Sequence, residues 1–268
     1  PCTGRARIFP KTTGAALSAN ATKGRMTMKR VSIFLLILAL ALGLLSGCSG
    51  SKVDLDDSDG TLYQYGMPAD GDEIAVIHTS LGDITVRFFP EEAPKAVKNF
   101  VTHAKDGYYD GLTFYRVINE FMIQSGSPDN TGSTGESIYG GGFENELSAK
   151  LHHLHGALAM ANSGVANSNT SQWFIVQNKI LSSSYHTSLA DTQKSEPQYG
   201  YTKKVIDAYK KDGGAPWCDQ KYTVFGQVID GLDVVDRIGR MRTDDDDRPV
   251  EDVIVERVEI TQYHASAN

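Results

Sequence analysis

From Ile74 onward the apolar residues of this chain come in short runs separated by glycine-containing turns, and this pattern restricts the fold more than any other feature. Side chains alternate between faces along an extended backbone, so short apolar and alternating runs bounded by turns read as strands. Ile74-Ala-Val-Ile-His-Thr and Ile84-Thr-Val-Arg-Phe-Phe flank Ser80-Leu-Gly-Asp83, a hairpin signature with Gly in the loop. Further strands are expected at 112–118, 121–125, 156–161, 172–177 and 222–229, and a last one from Val253 to Tyr263. Ala93, Ala96, Val97, Phe100, Val101 and Ala104 instead recur at helical spacing. Pro94 falls in the first turn, where its missing N–H costs nothing, and Gly107 follows the end. Gly231 to Gly239 reads as a second amphipathic helix. Many short strands with two helices predict a mainly β protein, a closed antiparallel barrel.

The first 71 residues have a different character. Met26 or Met28 is the expected start, so residues 1–27 read as an untranslated or non-native extension. Met28-Lys29-Arg30 opens onto Val31–Leu45, an apolar run without charge. That run is shorter than the ~20 residues a helix needs to cross a bilayer. A positive flank, a short apolar core and a small-residue end describe a secretory signal, here residues 28–47. Leu45-Ser46-Gly47-Cys48 resembles the bacterial lipobox, in which cleavage leaves a lipid-bearing cysteine, so Cys48 is the expected lipidation site. A plain signal peptide ending near a cysteine is the simpler alternative. Residues 48–71 are small, polar and acidic, and read as a flexible tether, with folding signals beginning near Asp72. The domain then runs over 72–264, long enough for a substantial core.

Seven of the 26 Lys and Arg lie in residues 1–47, which contain no Asp or Glu. Residues 48–268 therefore carry 19 basic against 33 acidic side chains, a net charge of −14 with His neutral. Such a surface argues against nucleic-acid binding, which calls for basic patches. Cys48 and Cys218 are the cysteines that follow the signal segment. If Cys48 bears lipid through its sulfur, no intramolecular disulfide can form, and stability rests on the hydrophobic core.

Residues 112–126, Leu-Thr-Phe-Tyr-Arg-Val-Ile-Asn-Glu-Phe-Met-Ile-Gln-Ser-Gly, concentrate the chemistry. Arg116 sits in a strand-like run, followed by Phe121, Met122 and Gln124. A cationic fork, two soft apolar side chains and an amide suit a shallow pocket for an apolar ring beside a polar amide. No metal-ligand set and no nucleophile–base pair accompanies them in the sequence. The combination points to chemistry on a peptide bond without breaking it.

Six segments then carry a family resemblance: Phe114-Tyr-Arg-Val-Ile, Phe121-Met-Ile-Gln-Ser-Gly, Ser137-Ile-Tyr-Gly-Gly-Gly-Phe-Glu-Asn-Glu, Met160-Ala-Asn-Ser-Gly, Ser171-Gln-Trp-Phe-Ile and Val224-Phe-Gly-Gln-Val. In this order, across residues 72–263, the chain looks like a cyclophilin-type peptidyl-prolyl cis–trans isomerase in a bacterial lipoprotein form. The resemblance implies an eight-stranded antiparallel barrel capped by two α-helices, and isomerase activity without a cofactor or metal. It implies that Arg116 is catalytic, donating a hydrogen bond to the prolyl nitrogen as the amide twists. Phe121, Met122 and Phe174 would line the proline pocket, and Gln124, Asn162 and Gln172 would hold the peptide backbone, with Ala161 supplying main-chain contacts. Trp217 matches the indole at the pocket edge that is linked to binding of cyclosporin-type ligands. Cys218 stands where the family commonly has Leu, and Tyr222 where many members have His; both belong to the expected substrate-binding set. The implied partners are proline-containing, unfolded or flexible polypeptides, met as a monomer outside the cytoplasm on a lipid anchor. A non-catalytic proline-peptide binding module or holdase is the alternative function. A structural envelope protein using the barrel as a spacer is a third.

The largest departure from the family pattern is an insertion, residues 178–216, with a short helix expected over Lys203–Lys211 ended by Gly213-Gly214. Loops this long usually have a role or are disordered. Because the insertion returns at Trp217, it is expected near the pocket rim, as a substrate-selecting flap or a passive decoration. His152-His153-Leu154-His155 reads as a surface histidine cluster rather than a zinc site, since no Cys or carboxylate set completes tetrahedral ligation. Asp244–Asp247 reads as a solvated turn, because it lacks the spaced ligand pattern of a calcium loop.

Overall fold

The computed structural model describes residues 62–265. The expected signal segment, Cys48 and the tether as far as residue 61 lie outside the described residues. Eight strands form one sheet: β1 (Glu73–Thr79), β2 (Gly82–Phe88), β3 (Arg116–Ile118), β4 (Met122–Ser125), β5 (Ala157–Met160), β6 (Trp173–Val176), β7 (Val224–Asp230) and β8 (Val255–Gln262). Their spatial order is β3-β4-β6-β5-β7-β2-β1-β8, and each pairing is antiparallel. Every expected strand forms. The run at 112–118 pairs with β4 only from Arg116, because its first residues are engaged elsewhere. Thr113 bridges to Ile254, Phe114 N–H donates to Val253 O, and Val255 N–H donates to Leu112 O. These bonds bring the two sheet edges together over a few residues only. The sheet is thus a curled half-barrel joined by a short seam, less fully closed than expected.

Two helices flank the sheet as anticipated, α1 (Pro94–Lys105) and, later in the chain, α4 (Leu232–Gly239). The residue before α1, Ala93, offers no capping side chain, so a distant carboxylate supplies the cap. Glu146 accepts from the backbone N–H groups of Lys95 (3.0 Å) and Ala96 (2.9 Å), satisfying two donors that the helix leaves unpaired. Ala96, Val97, Phe100, Val101 and Ala104 of α1, with Val234, Val235 and Ile238 of α4, enter the main core. Inward side chains of the sheet complete it, among them Ile77, Ile84, Val117, Ile123, Leu158, Ile175 and Phe225.

The insertion adds an unexpected helix, α2 (Ser183–Ser195), and the expected one, α3 (Lys203–Asp212), so four α-helices stand among the described residues. It builds a small core of its own: Leu181, Leu189, Tyr201, Val205, Ile206 and Tyr209 close over Leu154. The chain returns to the sheet through Gly214, which bridges to Leu154. Its φ is +137°, and a β-carbon there would fall 2.5 Å from the carbonyl oxygen of His153 and 2.6 Å from the Tyr209 ring. Only glycine allows so close an approach.

Folding begins earlier than the composition indicates. Gln64, within the expected tether, is wholly buried in a single 3₁₀ turn (Tyr63–Tyr65). Its amide donates to His152 O (2.8 Å) and to Gln227 Oε1 (2.9 Å), while its own oxygen accepts from His152 N–H (2.8 Å). One amide that satisfies both backbone groups of a buried residue outweighs the polar character of its neighbours. Residues 62–71 therefore belong to the domain rather than to a tether.

Candidate active site

The register across β3, β4 and β6 assembles the site. Arg116 lies opposite Gln124, Gln124 opposite Phe174, and Phe174 opposite Ala159. Residues paired across an antiparallel sheet share a face, and residues two apart on one strand share it too. Arg116, Met122, Gln124 and Phe174 therefore stand together on the outer face, while Val117, Ile123 and Ile175 between them point into the barrel. The outer face is covered locally by the chain that returns from the insertion, through the turn Pro216–Cys218 and on to Tyr222.

Between sheet and loop lies a cavity of about 170 Å³. Arg116, Phe121, Met122, Gln124, Ala161, Asn162, Phe174, Cys218 and Tyr222 line it, nine of the residues expected from the sequence. Met122 and Phe174 form a buried floor, and the Tyr222 ring stands edge-on to Phe174, with centroids 5.6 Å apart and planes at 90°. Soft and aromatic side chains in this arrangement hold a small ring by contact without demanding one orientation. The Cys218 thiol is buried, and burial followed by the charge of Asp219 pushes its pKa up to about 12. It serves as packing, not as a nucleophile.

Gln172 and Trp217 lie beside this cavity rather than in its wall. Gln172 lines an adjoining groove of about 450 Å³, walled largely by Thr, Ser and Gly, which meets the cavity at Arg116, Gln124, Ala161 and Asn162. Trp217 packs on Phe121, ring centroids 5.6 Å apart, at the cavity edge.

Several groups that support the site give no signal in the sequence. Tyr115 is a hub: its hydroxyl accepts from the Gln124 amide and donates to Gln172 Oε1. Gln172 in turn donates to Thr134 O (2.8 Å) and Gly132 O (3.1 Å), so both amides are fixed. Burial holds the Tyr115 phenol above its ordinary value, which keeps it protonated. Asp247, at the end of the acidic run, accepts from Arg116 Nε at 3.3 Å. Both side chains are 42 % exposed, so the pair contributes at most ~1 kcal/mol to stability. The contact engages Nε and leaves the terminal nitrogens out of the pair, and Arg116 also lines the cavity. The run is exposed at Asp244–Asp246, as a solvated turn should be, but its last member belongs to the site.

The histidine cluster is not on the surface. His152, His153 and His155 are 1 %, 1 % and 8 % exposed. Each imidazole has its own partner, distant in sequence: Tyr199 O for His152 (2.9 Å), Asp219 for His153 (2.8 Å) and Asp236 for His155 (3.1 Å). His153 stacks on the back of Phe174, with centroids 5.9 Å apart and planes at 11°. Asp219 receives His153 N–H, the His153 ring and the hydroxyls of Tyr201 (2.8 Å) and Tyr209 (2.6 Å). Burial alone would raise the Asp219 carboxyl. The donors from His153 and Tyr209, with both neighbouring imidazoles, hold it below the ordinary carboxylate value. A single carboxylate thus ties the insertion to the imidazole behind the cavity floor.

A shallow apolar cradle with a cation at its lip runs into a groove of amides, an arrangement suited to an extended chain held by a small ring. The family model described as cyclophilin type peptidyl-prolyl cis-trans isomerase/CLD matches residues 74–260. A protein of Staphylococcus aureus (strain USA300), provisionally named a peptidyl-prolyl cis-trans isomerase, is 50% identical over 192 residues, covering 72% of this chain and 93% of its own. A similarly named protein of Staphylococcus epidermidis is 48% identical over 187 residues, covering 70% of this chain and 91% of its own. The crystal structure of a Cryptosporidium parvum cyclophilin type peptidyl-prolyl cis-trans isomerase, in the presence of the dipeptide Ala-Pro, superposes with a TM-score of 0.55 at 28% identity. The match covers 70% of this chain and 98% of that one. The chain belongs to the cyclophilin family of peptidyl-prolyl cis–trans isomerases. Its activity is accordingly the isomerisation of X–Pro bonds.

Proposed function

We propose that Arg116 is the catalytic residue and that the cradle of Phe121, Met122, Phe174, Cys218 and Tyr222 receives the proline ring. One observation carries this reading: the arginine of β3 opens into the same cavity as the apolar floor. The X–Pro bond resists rotation by ~18–20 kcal/mol because resonance gives its C–N bond double-bond character. No covalent step is needed; the enzyme has to favour the twisted amide over both planar forms. At the twist the prolyl nitrogen becomes pyramidal and can accept a hydrogen bond, which a guanidinium at the cradle lip is placed to donate. Each ~1.4 kcal/mol of such preferential stabilisation gives a factor of ten in rate. An arginine keeps its charge throughout the physiological pH range.

Gln124, Ala161, Asn162 and Gln172 hold the peptide backbone in the polar groove, and Trp217 bounds the cradle beyond Phe121. The substrate is a proline-containing, flexible segment of a polypeptide. The Cryptosporidium parvum relative, crystallised in the presence of Ala-Pro, supports this reading. Cyclosporin-type ligands compete at the Trp217 edge. Replacing Arg116 tests the assignment: Arg116→Ala should lower kcat/KM on a short Ala-Pro peptide by about a hundredfold or more, chiefly through kcat. Arg116→Lys, which keeps the charge but not the planar fork, should recover little of it. An alanine variant as fast as the wild type would remove Arg116 from the mechanism.

We also propose that the protein works as a monomer outside the cytoplasm, moored through lipid on Cys48, where exported chains fold with slow X–Pro bonds. The apolar run and the lipobox-like Leu45–Cys48 support this placement. Cys48→Ser should move the protein from the membrane to the soluble fraction on cell fractionation; unchanged membrane association would refute the anchor.

A further inference from the structure

The insertion contributes a ring to the edge of the cradle. Tyr185, near the start of α2, lies against Trp217 with centroids 5.3 Å apart and planes at 44°. Trp217 lies against Phe121 at 5.6 Å and 49°, and Phe121 lines the cradle. Three aromatic rings from three separate stretches of chain form a continuous strip running outward from the proline site. Phe121 and Trp217 are half-buried and Tyr185 is 39 % exposed, so the strip presents its rings to solvent.

The strip departs from the cradle on a different side from the polar groove. Groove and cradle share Arg116, Gln124, Ala161 and Asn162, whereas Phe121 and Trp217 take no part in the groove. A polypeptide whose proline fills the cradle, with one flank lying in the groove among fixed amides, sends its other flank over Phe121 and toward Trp217 and Tyr185. Backbone groups are served on one flank, and an apolar side chain on the other.

We propose that Tyr185 and Trp217 form a subsite for an aromatic or large apolar side chain of the substrate, on the flank of the proline opposite the polar groove. The inference rests on the assignment of the proline cradle. Tyr185 is held for this purpose by its own lobe: Leu189, one turn along α2, is buried in the insertion core with Leu181, Tyr201 and Tyr209. That core is tied through Asp219 to His153, which stacks on Phe174 of β6. The insertion is therefore a fixed wall that selects among substrates, rather than a flap that must close.

The test is a series of short proline peptides in which the residue at each flank is Ala, Glu, Leu or Phe in turn, with exchange rates read by NMR. The wild type should favour Phe or Leu over Ala at one flank by about fivefold in kcat/KM, expressed in KM. Tyr185→Ala should reduce that ratio to about twofold or less, and Tyr185→Phe, which keeps the ring, should preserve it. A wild type without flank preference, or a ratio unchanged in Tyr185→Ala, overturns the proposal. An equal fall on every peptide with the ratio intact also overturns it, because it marks Tyr185 as support for Trp217 alone. The cradle assignment fails separately, if the wild type accelerates none of these peptides or if Arg116→Ala loses nothing on any of them.

Discussion

The two faces of strands β3, β4 and β6 are built from adjacent residues and obey different rules. Val117, Ile123 and Ile175 point inward to the main core, where volume and shape decide fitness. Arg116, Gln124 and Phe174 alternate with them on the outer face, where a charge, an amide and a ring line one cavity. The returning loop with Cys218 and Tyr222 covers part of the outer face, and the rest opens into the cavity. One short sheet thus carries fold and chemistry on opposite sides, and a shift of one residue in register would exchange them.

Substitution on the two faces should separate rate from stability. The largest effect is the loss of turnover expected for Arg116→Ala, with a thermal midpoint near that of the wild type, since a partly exposed ion pair contributes little. Ile123→Ala, on the opposite face, should cost about 2–5 kcal/mol in a denaturant titration while leaving kcat/KM per folded molecule near the wild-type value. If Ile123→Ala lowers turnover as much as stability, the two faces are coupled and the contrast breaks.

Lowering the pH should give the smallest effect and sharpen the same contrast. Burial holds the imidazoles of His103, His152 and His155 below their ordinary value of 6.5. Below that pH the unfolded chain takes up protons that the folded chain resists, so stability falls with pH from about 6.5 downward. Asp219, whose folded carboxyl is depressed, adds to the loss only at lower pH, as it too becomes protonated. Turnover of the folded protein should not follow, because the guanidinium keeps its charge. Urea unfolding at several pH values, with exchange rates measured alongside, would show whether stability declines first; a flat stability profile between about pH 7 and pH 5 would contradict it.

Much of this arrangement is legible in the sequence because it is periodic or local. Short apolar or alternating runs mark all eight strands, helical spacing marks α1 and α4, and the helix expected over Lys203–Lys211 ends one residue short of α3. What stays hidden depends on partners far along the chain. The short seam requires Thr113 to meet Ile254. The burial of three histidines requires Tyr199, Asp219 and Asp236, and the ion pair of Arg116 requires Asp247. Helix α2 is hidden for a different reason: Ser183–Ser195 is rich in Ser and Thr and buries only Leu189, so it shows little apolar stripe. Gln64 is hidden because a lone amide in an acidic stretch gives no sign of the backbone it will satisfy.

Placing the cradle on the convex side of the sheet has a consequence for what can use it. A pocket inside the barrel would have to be entered end first, and would serve only termini or short fragments. Here a loop in the middle of a long chain can settle across the surface, turn about one linkage, and lift away without either end passing through the protein.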